Sequence, residues 1–297
     1  MQKVPLFGTS GFPPSFLNEH KGRREAIFYW LKDYGLDWIE LQNTRGVKMP
    51  NEQAELYSRL AMEYGIGISI HAPYYITLAS ADNEVKNRSL ERIMQCVALC
   101  ERLKCERIIF HPGHFPGSGE EDRKSAVKKI ITALKELKND IPQNVFIYPE
   151  TAGKKSQIGS VEEIVQICSE ITYAIPCIDL AHVHAFRDGS LVCKESICEI
   201  IDFLFQHCGE EKIDKLHCHM YPVEVYAHGE KRHVTFDDVP KNVQMSLFGN
   251  VLGDSYFPRA EDYISAIKEK EIFPVTICEA HNTQDTGALL MKNLYFE

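Results

Sequence analysis

The chain has 297 residues, 44% hydrophobic and 25% charged, a composition typical of a globular protein with a large core. Its 42 acidic and 33 basic residues give a formal net charge of −9, which argues against a protein that binds polyanions through bulk positive charge. No apolar run approaches the ~20 residues of a membrane span, and residues 1–10 lack the basic-then-apolar pattern of a signal peptide. We therefore expect a cytoplasmic protein with no membrane partner.

Short apolar runs rich in β-forming residues alternate with helix-length amphipathic segments along the chain. The predicted strands are residues 4–8, 36–42, 67–71, 107–111, 145–150, 174–179, 215–219 and 274–279. The predicted helices are residues 23–34, 52–64, 87–103, 122–137, 161–169, 194–207 and 260–270. Eight such units favour a parallel sheet that closes as an α/β (β/α)₈ TIM barrel. The alternative, an open doubly wound sheet, lacks its common GxGxxG or GxxxxGK[ST] phosphate loop.

Residues 1–297 are expected to form one barrel domain. Within it, the polar segment at about residues 221–258 is longer than an ordinary connection and predicts an extended loop over the top face. Ser160, followed by Glu162 and Glu163, predicts a capped helix start. The ten cysteines include no CxxC pair, and we expect reduced, buried thiols that act as packing residues.

Each predicted strand from the third to the eighth ends in or near a residue that can bind a metal. These residues are His71, His111, Glu150, Asp179 with His182 three positions later, His217 with His219, and Glu279. In a βα barrel the carboxyl ends of the strands meet at the rim that carries the active site. A lone residue of this kind is usually hydrogen-bonded structure or a helix cap. Several carboxylates buried together, however, require cations, and imidazole with carboxylate suits Zn²⁺, Mn²⁺ or iron.

Four sequence motifs surround these residues. They are HisAlaProTyrTyrIleThrLeu at 71–78, PheHisProGlyHis at 110–114, ProGluThrAlaGlyLysLysSerGlnIleGly at 149–159 and CysIleAspLeuAlaHis at 177–182. These motifs resemble those of the endonuclease IV family, within the xylose-isomerase-like barrel superfamily. The most specific is the one at 149–159, similar to Glu-[Asn/Thr]-Thr-Ala-Gly-x-x-Ser-x-x-Gly. Together they run from the third predicted strand towards the eighth, so the resemblance covers nearly the whole chain.

The resemblance implies a cluster of two or three Zn²⁺ ions, with Mn²⁺ also possible. His71, His111 and Glu150 would hold the first ion. Glu150 would bridge to a second ion, held also by Asp179, His219 and Glu279, and His182 and His233 would hold a third. Glu150 and Glu279 would thereby serve catalysis. His217 is the alternative to His219, because residues two apart on a strand share a face, and His184 is the alternative to His182.

The third ion site departs from the family pattern. The family has an Asp two residues before the third-metal His, and here Lys231 takes that position before His233. A cation there weakens the site, although Glu230 would substitute if the loop is shifted. Glu40, on the same rim, either adds a polar contact or caps a loop.

The family cleaves the phosphodiester 5′ to abasic sites, so the resemblance implies a DNA-repair hydrolase, expected to be a monomer, that acts on abasic duplex DNA. Tyr74 and Arg45 would enter the duplex from rim loops. A local positive field would come from Lys48, Lys154, Lys155, Arg187, Lys231 and Arg232, unless these are ordinary solvated charges. Two alternatives remain: a metal-dependent sugar isomerase or epimerase on the same barrel, and a metal-binding homologue that does not cleave DNA.

Overall fold

Parallel strands form the centre of the computed structural model, which describes residues 3–115, 117, 119–226, 229–238, 244–245, 251–252 and 256–297. The strands are β1 (Leu6–Ser10), β2 (Trp38–Gln42), β3 (Gly67–His71), β4 (Arg107–Phe110), β5 (Phe146–Pro149), β6 (Cys177–Asp179), β7 (His217–His219), β8 (Val223–Tyr226), β9 (Gly229–His233), β10 (Gln244–Met245), β11 (Val251–Leu252) and β12 (Val275–Cys278). Eight of them form one sheet in the order β5-β4-β3-β2-β1-β12-β7-β6. Parallel bridges of Ile147 with Ala174 and of Glu150 with Cys177 join its two ends. The predicted TIM barrel is confirmed.

Helices surround this sheet. They are α1 (Pro14–His20), α2 (Ile27–Tyr34), α3 (Asn51–Tyr64), α4 (Asn83–Leu103), α5 (Glu120–Glu136), α6 (Val161–Glu170), α7 (Leu180–Phe186), α8 (Lys194–Cys208), α9 (Glu210–Ile213), α10 (Ala260–Glu269) and α11 (Gln284–Phe296). The seven predicted helices correspond to α2–α6, α8 and α10. The predicted cap of α6 is confirmed, because the Ser160 hydroxyl accepts from the backbone of Glu163 and the Glu163 carboxylate accepts from the backbone of Ser160.

The segment predicted as an extended loop, residues 221–258, contains an antiparallel hairpin of β8 and β9. The strands β10 and β11 pair with each other in the same segment. Residues 227–228, 239–243, 246–250 and 253–255 of the predicted loop lie outside the described residues. A bridge between Lys154 and Gly229 joins the hairpin to the loop after β5, so β9 lies at the rim of the barrel.

The apolar core lies mainly between the sheet and the helices, and eight of the ten cysteines are buried there or in the sheet. Alternate residues of each strand face the barrel interior. Several of these inward-facing residues are polar, among them Glu40, Ser69 and His217, so the interior is more polar than the layer between sheet and helices. Near the amino ends of the strands, the Arg107 guanidinium lies over the rings of Trp38 and Tyr148. Above this layer, the Trp38 indole donates to Ser69. Among the described residues, no helix is long and apolar enough to cross a membrane.

Candidate metal centre

The carboxylate of Glu150, directly after β5, lies at the centre of a group of four histidines. It is almost completely buried, with 1% of the residue exposed. Its Oε2 lies 3.0 Å from His71 Nε2 and 3.4 Å from His111 Nε2, and its Oε1 lies 3.0 Å from His219 Nδ1 and 3.4 Å from His182 Nδ1. One carboxylate therefore lies within 3.4 Å of an imidazole nitrogen from each of four histidines.

Asp179, at the end of β6, has one satisfied and one unsatisfied oxygen. Its Oδ1 accepts the backbone N–H of His182 at 2.7 Å and so caps α7. Its Oδ2 is buried and finds no hydrogen-bond partner among the described residues. The nearest imidazole nitrogen, His182 Nδ1 at 3.3 Å, donates instead to the carbonyl of Thr151. A buried carboxylate oxygen without a donor is costly, and a cation beside it would remove that cost, so the residues fit a metal centre.

Backbone contacts orient three of the imidazoles. The Nδ1–H groups of His71, His182 and His233 donate to the carbonyls of Ala72, Thr151 and Glu279, respectively, at 2.8–2.9 Å. In each ring the hydrogen bond leaves Nε2 as the nitrogen that faces a carboxylate. Metal-binding histidines are oriented in this way by the proton on the other nitrogen. The three rings are therefore held ready to bind through Nε2.

Two of the predicted ligand sets come together. In the first, His71, His111 and Glu150 each bring a ligand atom within 4.8 Å of the others, and Glu150, Asp179 and His219 do the same in the second. Glu279, after β12, adjoins the second set: its Oε1 lies 3.9 Å from His219 Nδ1 and accepts from the Ser10 hydroxyl. Because Glu150 belongs to both sets, it occupies the position of a bridge.

The third predicted set was His182 and His233, and in the structure the carboxylate of Glu230 lies between them. Its Oε2 lies 3.1 Å from His182 Nε2 and its Oε1 lies 2.9 Å from His233 Nε2. The ladder of β8 and β9 pairs Val225 with Glu230 but Glu224 with Arg232, so a bulge at Lys231 adds one residue to β9. The extra residue lets Glu230 and His233, three positions apart, face the same side.

Lys231 therefore does not occupy the acidic position of the third site, as the spacing of the sequence had suggested. Its side chain is more than half exposed and pairs with Glu224, on the outer side of the hairpin. The carboxylate in that position is Glu230, which is the substitution that a shifted loop would allow. The physical reason is the bulge, which moves the register by one residue.

Gly153, in the ThrAlaGly motif, makes the approach of Glu230 to His182 possible. A Cβ atom at this position would lie 2.8 Å from Glu230 Oε2 and 2.8 Å from His182 Cδ2. The carbonyl of Gly153 also accepts the backbone N–H of Glu230 at 3.0 Å. The missing side chain of Gly153 therefore leaves room for Glu230 beside His182, and its carbonyl holds the backbone of Glu230 in position.

The geometry distinguishes the alternative histidines. His219 faces Glu150, whereas His217 lies deeper in the barrel, with its Nε2 3.0 Å from Glu40. His182 faces three carboxylates, whereas His184 accepts the backbone N–H of Leu191 at 3.1 Å. His219 and His182 are thus the members of each pair that lie in the cluster.

The carboxylates and imidazoles of the cluster shift one another's pKa values. Burial opposes ionisation of Glu150, but the charges of His111 and His219 and hydrogen bonds from the imidazoles lower its pKa well below the ordinary value. Burial likewise opposes a charge on His71, yet the hydrogen bond and charge of Glu150 raise the pKa of His71 to about 9. Binding of a metal ion would displace such protons.

The two predicted DNA-contacting residues lie at the rim. Tyr74 is 62% exposed, and its ring stacks on that of His111 with the centroids 6.2 Å apart. Arg45 is exposed and lines a pocket of about 320 Å³ together with Arg24 and Lys48. Tyr74 therefore lies over the first ligand set, and Arg45 lies in the loop after β2.

Most of the rim cations that were expected to supply a positive field are paired. Lys155 pairs with Asp188 and Arg187 pairs with Glu162. Lys231 and Arg232 both pair with Glu224. Lys48 and Lys154 have no carboxylate partner in the described part of the chain. The positive field at the rim is consequently weaker than a count of charges suggests.

Sequence reasoning left Ser10, Gln42 and Tyr221 out of the site. Gln42 donates to Ser10, which donates to Glu279. The Tyr221 ring stacks on His233 at 4.1 Å, and its buried hydroxyl has no hydrogen-bond partner within the residues that the structure describes. Ser10 and Gln42 end β1 and β2, so the strand-end rule would have found them had it included uncharged side chains. Tyr221 gave no such signal.

Comparisons with known proteins agree with this architecture. Residues 28–257 match the family model described as xylose isomerase-like TIM barrel. Uncharacterized protein MJ0133 of Methanocaldococcus jannaschii is 28% identical, covering 97% of this chain and 96% of its own. A probable endonuclease 4 of Persephonella marina is 27% identical, covering 65% of this chain and 70% of its own.

Two solved structures share the fold at low sequence identity. Endonuclease IV from Thermus thermophilus superposes with a TM-score of 0.62 at 15% identity, covering 98% of each chain. A D-tagatose 3-epimerase-like protein superposes with a TM-score of 0.65 at 15% identity, covering 98% of this chain and 97% of its own. The chain belongs to the xylose isomerase-like TIM barrel family.

Proposed function

We propose that this protein is a metal-dependent hydrolase that cleaves the phosphodiester bond 5′ to abasic sites in duplex DNA. The observation that carries the proposal is the position of Glu150, whose buried carboxylate belongs to two adjacent ligand sets. The likeness to probable endonuclease 4 proteins supports the same activity. A site for a single ion would not require two ligand sets that share a carboxylate.

The ligands are proposed as follows. His71, His111 and Glu150 hold one ion, and Glu150, Asp179, His219 and Glu279 hold a second. A third is held by His182, Glu230 and His233. Imidazole with carboxylate makes Zn²⁺ the first candidate and Mn²⁺ the second. Metal ions a few ångströms apart stabilise both the attacking and the leaving oxygen of a phosphoryl transfer.

The chain itself orients these ligands and the substrate. Ser10 holds one oxygen of Glu279 at 3.0 Å, and the carbonyl of Glu279 holds His233. Tyr74, exposed above His111, offers an aromatic surface to a nucleotide that leaves the base stack. Arg45, Lys48 and Lys154 are proposed to contact the backbone phosphates.

A second candidate is a metal-dependent sugar epimerase. Glu150 and Glu279 both face His219 Nδ1, at 3.0 and 3.9 Å, and two carboxylates beside one ion suit proton transfer. The fold of the D-tagatose 3-epimerase-like protein is also compatible. The paired His71 and His111 favour the hydrolase, because they add a ligand set that proton transfer at one ion does not require. A metal-binding homologue that does not cleave DNA is the third possibility.

The proposal is tested with zinc-loaded protein and a duplex that carries one tetrahydrofuran abasic mimic. We expect incision 5′ to the mimic and an intact control duplex without the lesion. His182→Asn should abolish incision, whereas the matched change His184→Asn, two residues along the same helix, should leave it within a few-fold of wild type. Turnover of a ketose together with an uncut duplex would replace the hydrolase with the epimerase.

A further inference from the structure

We propose that Glu40 is a positioning residue that fixes the ring of His219, so that Nδ1 of this ring faces Glu150 and Asp179. The inference rests on the proposed function in one respect, since it takes His219 as a metal ligand. The ring has two nitrogens, and only one can face the second ligand set. The side chain that contacts the other nitrogen therefore decides the orientation of the ring.

The contacts of Glu40 come from three strands. This residue lies in the middle of β2 and is completely buried. Its Oε1 accepts from the Gln42 amide at 3.2 Å and lies 3.1 Å from His219 Nε2, a buried nitrogen that makes no hydrogen bond with the described residues and whose nearest carboxylate is this one. Its Oε2 lies 3.0 Å from His217 Nε2 and accepts from the Ser69 hydroxyl at 3.0 Å. Each carboxylate oxygen thus faces two nitrogen or hydroxyl groups of the protein.

The hydrogen bonds that Glu40 accepts distinguish it from the carboxylates that are proposed to bind metal. Asp179 has a buried oxygen to which none of the described residues donates, and a cation would satisfy it. Both oxygens of Glu40 accept hydrogen bonds, Oε1 from Gln42 and Oε2 from Ser69, although Glu40 also brings a ligand atom within 4.8 Å of those of His219 and Glu279. We therefore assign Glu40 the role of a neighbour of the proposed metal ligand His219, and not that of a ligand itself.

The surrounding layer keeps the Glu40 carboxylate in place. Ser69 also accepts from the Trp38 indole at 3.1 Å, which fixes the hydroxyl that donates to Glu40. His217, on the same face of β7 as His219, lies against the ring of Tyr148. The Glu40 carboxylate cannot move with His219 without breaking these contacts. Its position therefore restricts the orientation of the His219 ring.

A hydrogen-bond chain extends this role to a second ligand. The amide nitrogen of Gln42 donates both to Glu40 and to the Ser10 hydroxyl, at 3.2 and 2.9 Å. Ser10 in turn donates to Glu279 Oε1 at 3.0 Å. His219 and Glu279, from neighbouring strands, are therefore both positioned from Glu40, and both belong to the proposed second ion.

Loss of the outer partner of a metal-bound histidine reduces metal affinity by about 10- to 100-fold. We expect Glu40→Gln to weaken the second ion by about this factor and to leave the ion of His71 and His111 unchanged. At saturating zinc the number of bound ions should equal that of wild type. The matched control Glu55→Gln, an exposed position of α3, should not alter either affinity.

The experiment measures zinc affinity by chelator competition and the histidine ¹⁵N resonances of the zinc-loaded chain. In wild type we expect His219 to carry a proton on Nε2 that is shifted downfield by Glu40, and Glu40→Gln should remove that shift. If this variant does not fold, Glu40→Asp, which keeps the charge but withdraws it from His219, should weaken the same ion. Wild-type zinc affinity in the folded variant would overturn the positioning role.

Two further outcomes have distinct meanings. Loss of one ion from Glu40→Gln even at saturating zinc would identify Glu40 as a ligand and would also overturn the positioning role. Because zinc binding is measured without DNA, the result does not depend on whether abasic DNA is cleaved. Failure of the proposed function would be seen as wild-type protein that binds zinc but leaves the lesion duplex uncut.

Discussion

Replacement of Glu150 by Gln removes one negative charge from the centre of the cluster and changes little else. Glutamine has nearly the same size, so no cavity forms at this buried position. The four imidazole nitrogens at 3.0–3.4 Å lose their common anion. Both ligand sets that contain Glu150 are affected, which makes this position more sensitive than one that serves a single ion.

The expected loss follows from Coulomb's law. Two unit charges about 4 Å apart interact by about 4 kcal/mol at an effective dielectric constant of about 20. A loss of this size corresponds to about a thousandfold increase in Kd, since about 1.4 kcal/mol is tenfold. A divalent ion would lose more, and an amide oxygen that still binds it would lose less. We therefore expect about a thousandfold weaker binding of each of the two ions that are proposed to share Glu150.

The assay is elemental analysis of dialysed protein, followed by chelator competition. Wild type and the exposed control Glu55→Gln should retain zinc, and Glu150→Gln should lose the two ions that share this carboxylate. The thermal unfolding midpoint should be compared for metal-free samples, so that misfolding is recognised. Full zinc occupancy in a folded Glu150→Gln variant would refute the assignment of Glu150 as a bridge.

Three further substitutions and the removal of zinc test the third ligand set, the hairpin and the stability of the fold one at a time. Gly153→Ala should displace Glu230 and remove one zinc ion per chain while the others remain, as measured by elemental analysis. Lys231→Ala should change zinc affinity by less than about twofold in chelator competition, because this lysine pairs with Glu224 outside the cluster. Ser160→Ala should lower the free energy of unfolding by about 1 kcal/mol in urea, because it removes the side-chain cap of α6. Removal of zinc by a chelator should lower the Tm in proportion to the logarithm of the free zinc concentration, since the ions bind only the folded cluster.

Each of these expectations has a contrary result. An unchanged zinc count in Gly153→Ala would mean that Glu230 holds no ion. A large loss of zinc affinity in Lys231→Ala would mean that this lysine does contribute to the cluster. Unchanged stability in Ser160→Ala would mean that the cap does not stabilise α6, and a Tm independent of zinc would mean that the ions do not stabilise the fold.

The barrel could be predicted from the sequence because its strands alternate with amphipathic helices. Prediction and structure agree for β3, residues 67–71, and the other barrel strands differ by at most three residues at either end. The four helices that were missed have local reasons. Both α1 and α7 span seven residues and α9 spans four, too few for a helical period to emerge, and α11 contains Gly287, which disfavours a helix.

The candidate site was predictable where topology alone brings residues together. Strand ends converge in a barrel, so the grouping of His71, His111 and Glu150 follows from their positions in the chain. The role of Glu230 was not determined in this way, because a one-residue bulge decides which side chains of β9 face the cluster. The position of Glu40 between His217 and His219 depends on contacts across strands far apart in sequence, which spacing along the chain does not encode.

The most direct test of the proposed hydrolase is the incision of a tetrahydrofuran-containing duplex while zinc is added back to metal-free protein. We expect no incision without metal, and incision 5′ to the lesion that rises with zinc and saturates at two or three ions per chain. An uncut duplex at full zinc occupancy, under conditions in which the chain is folded, would contradict the proposed hydrolase.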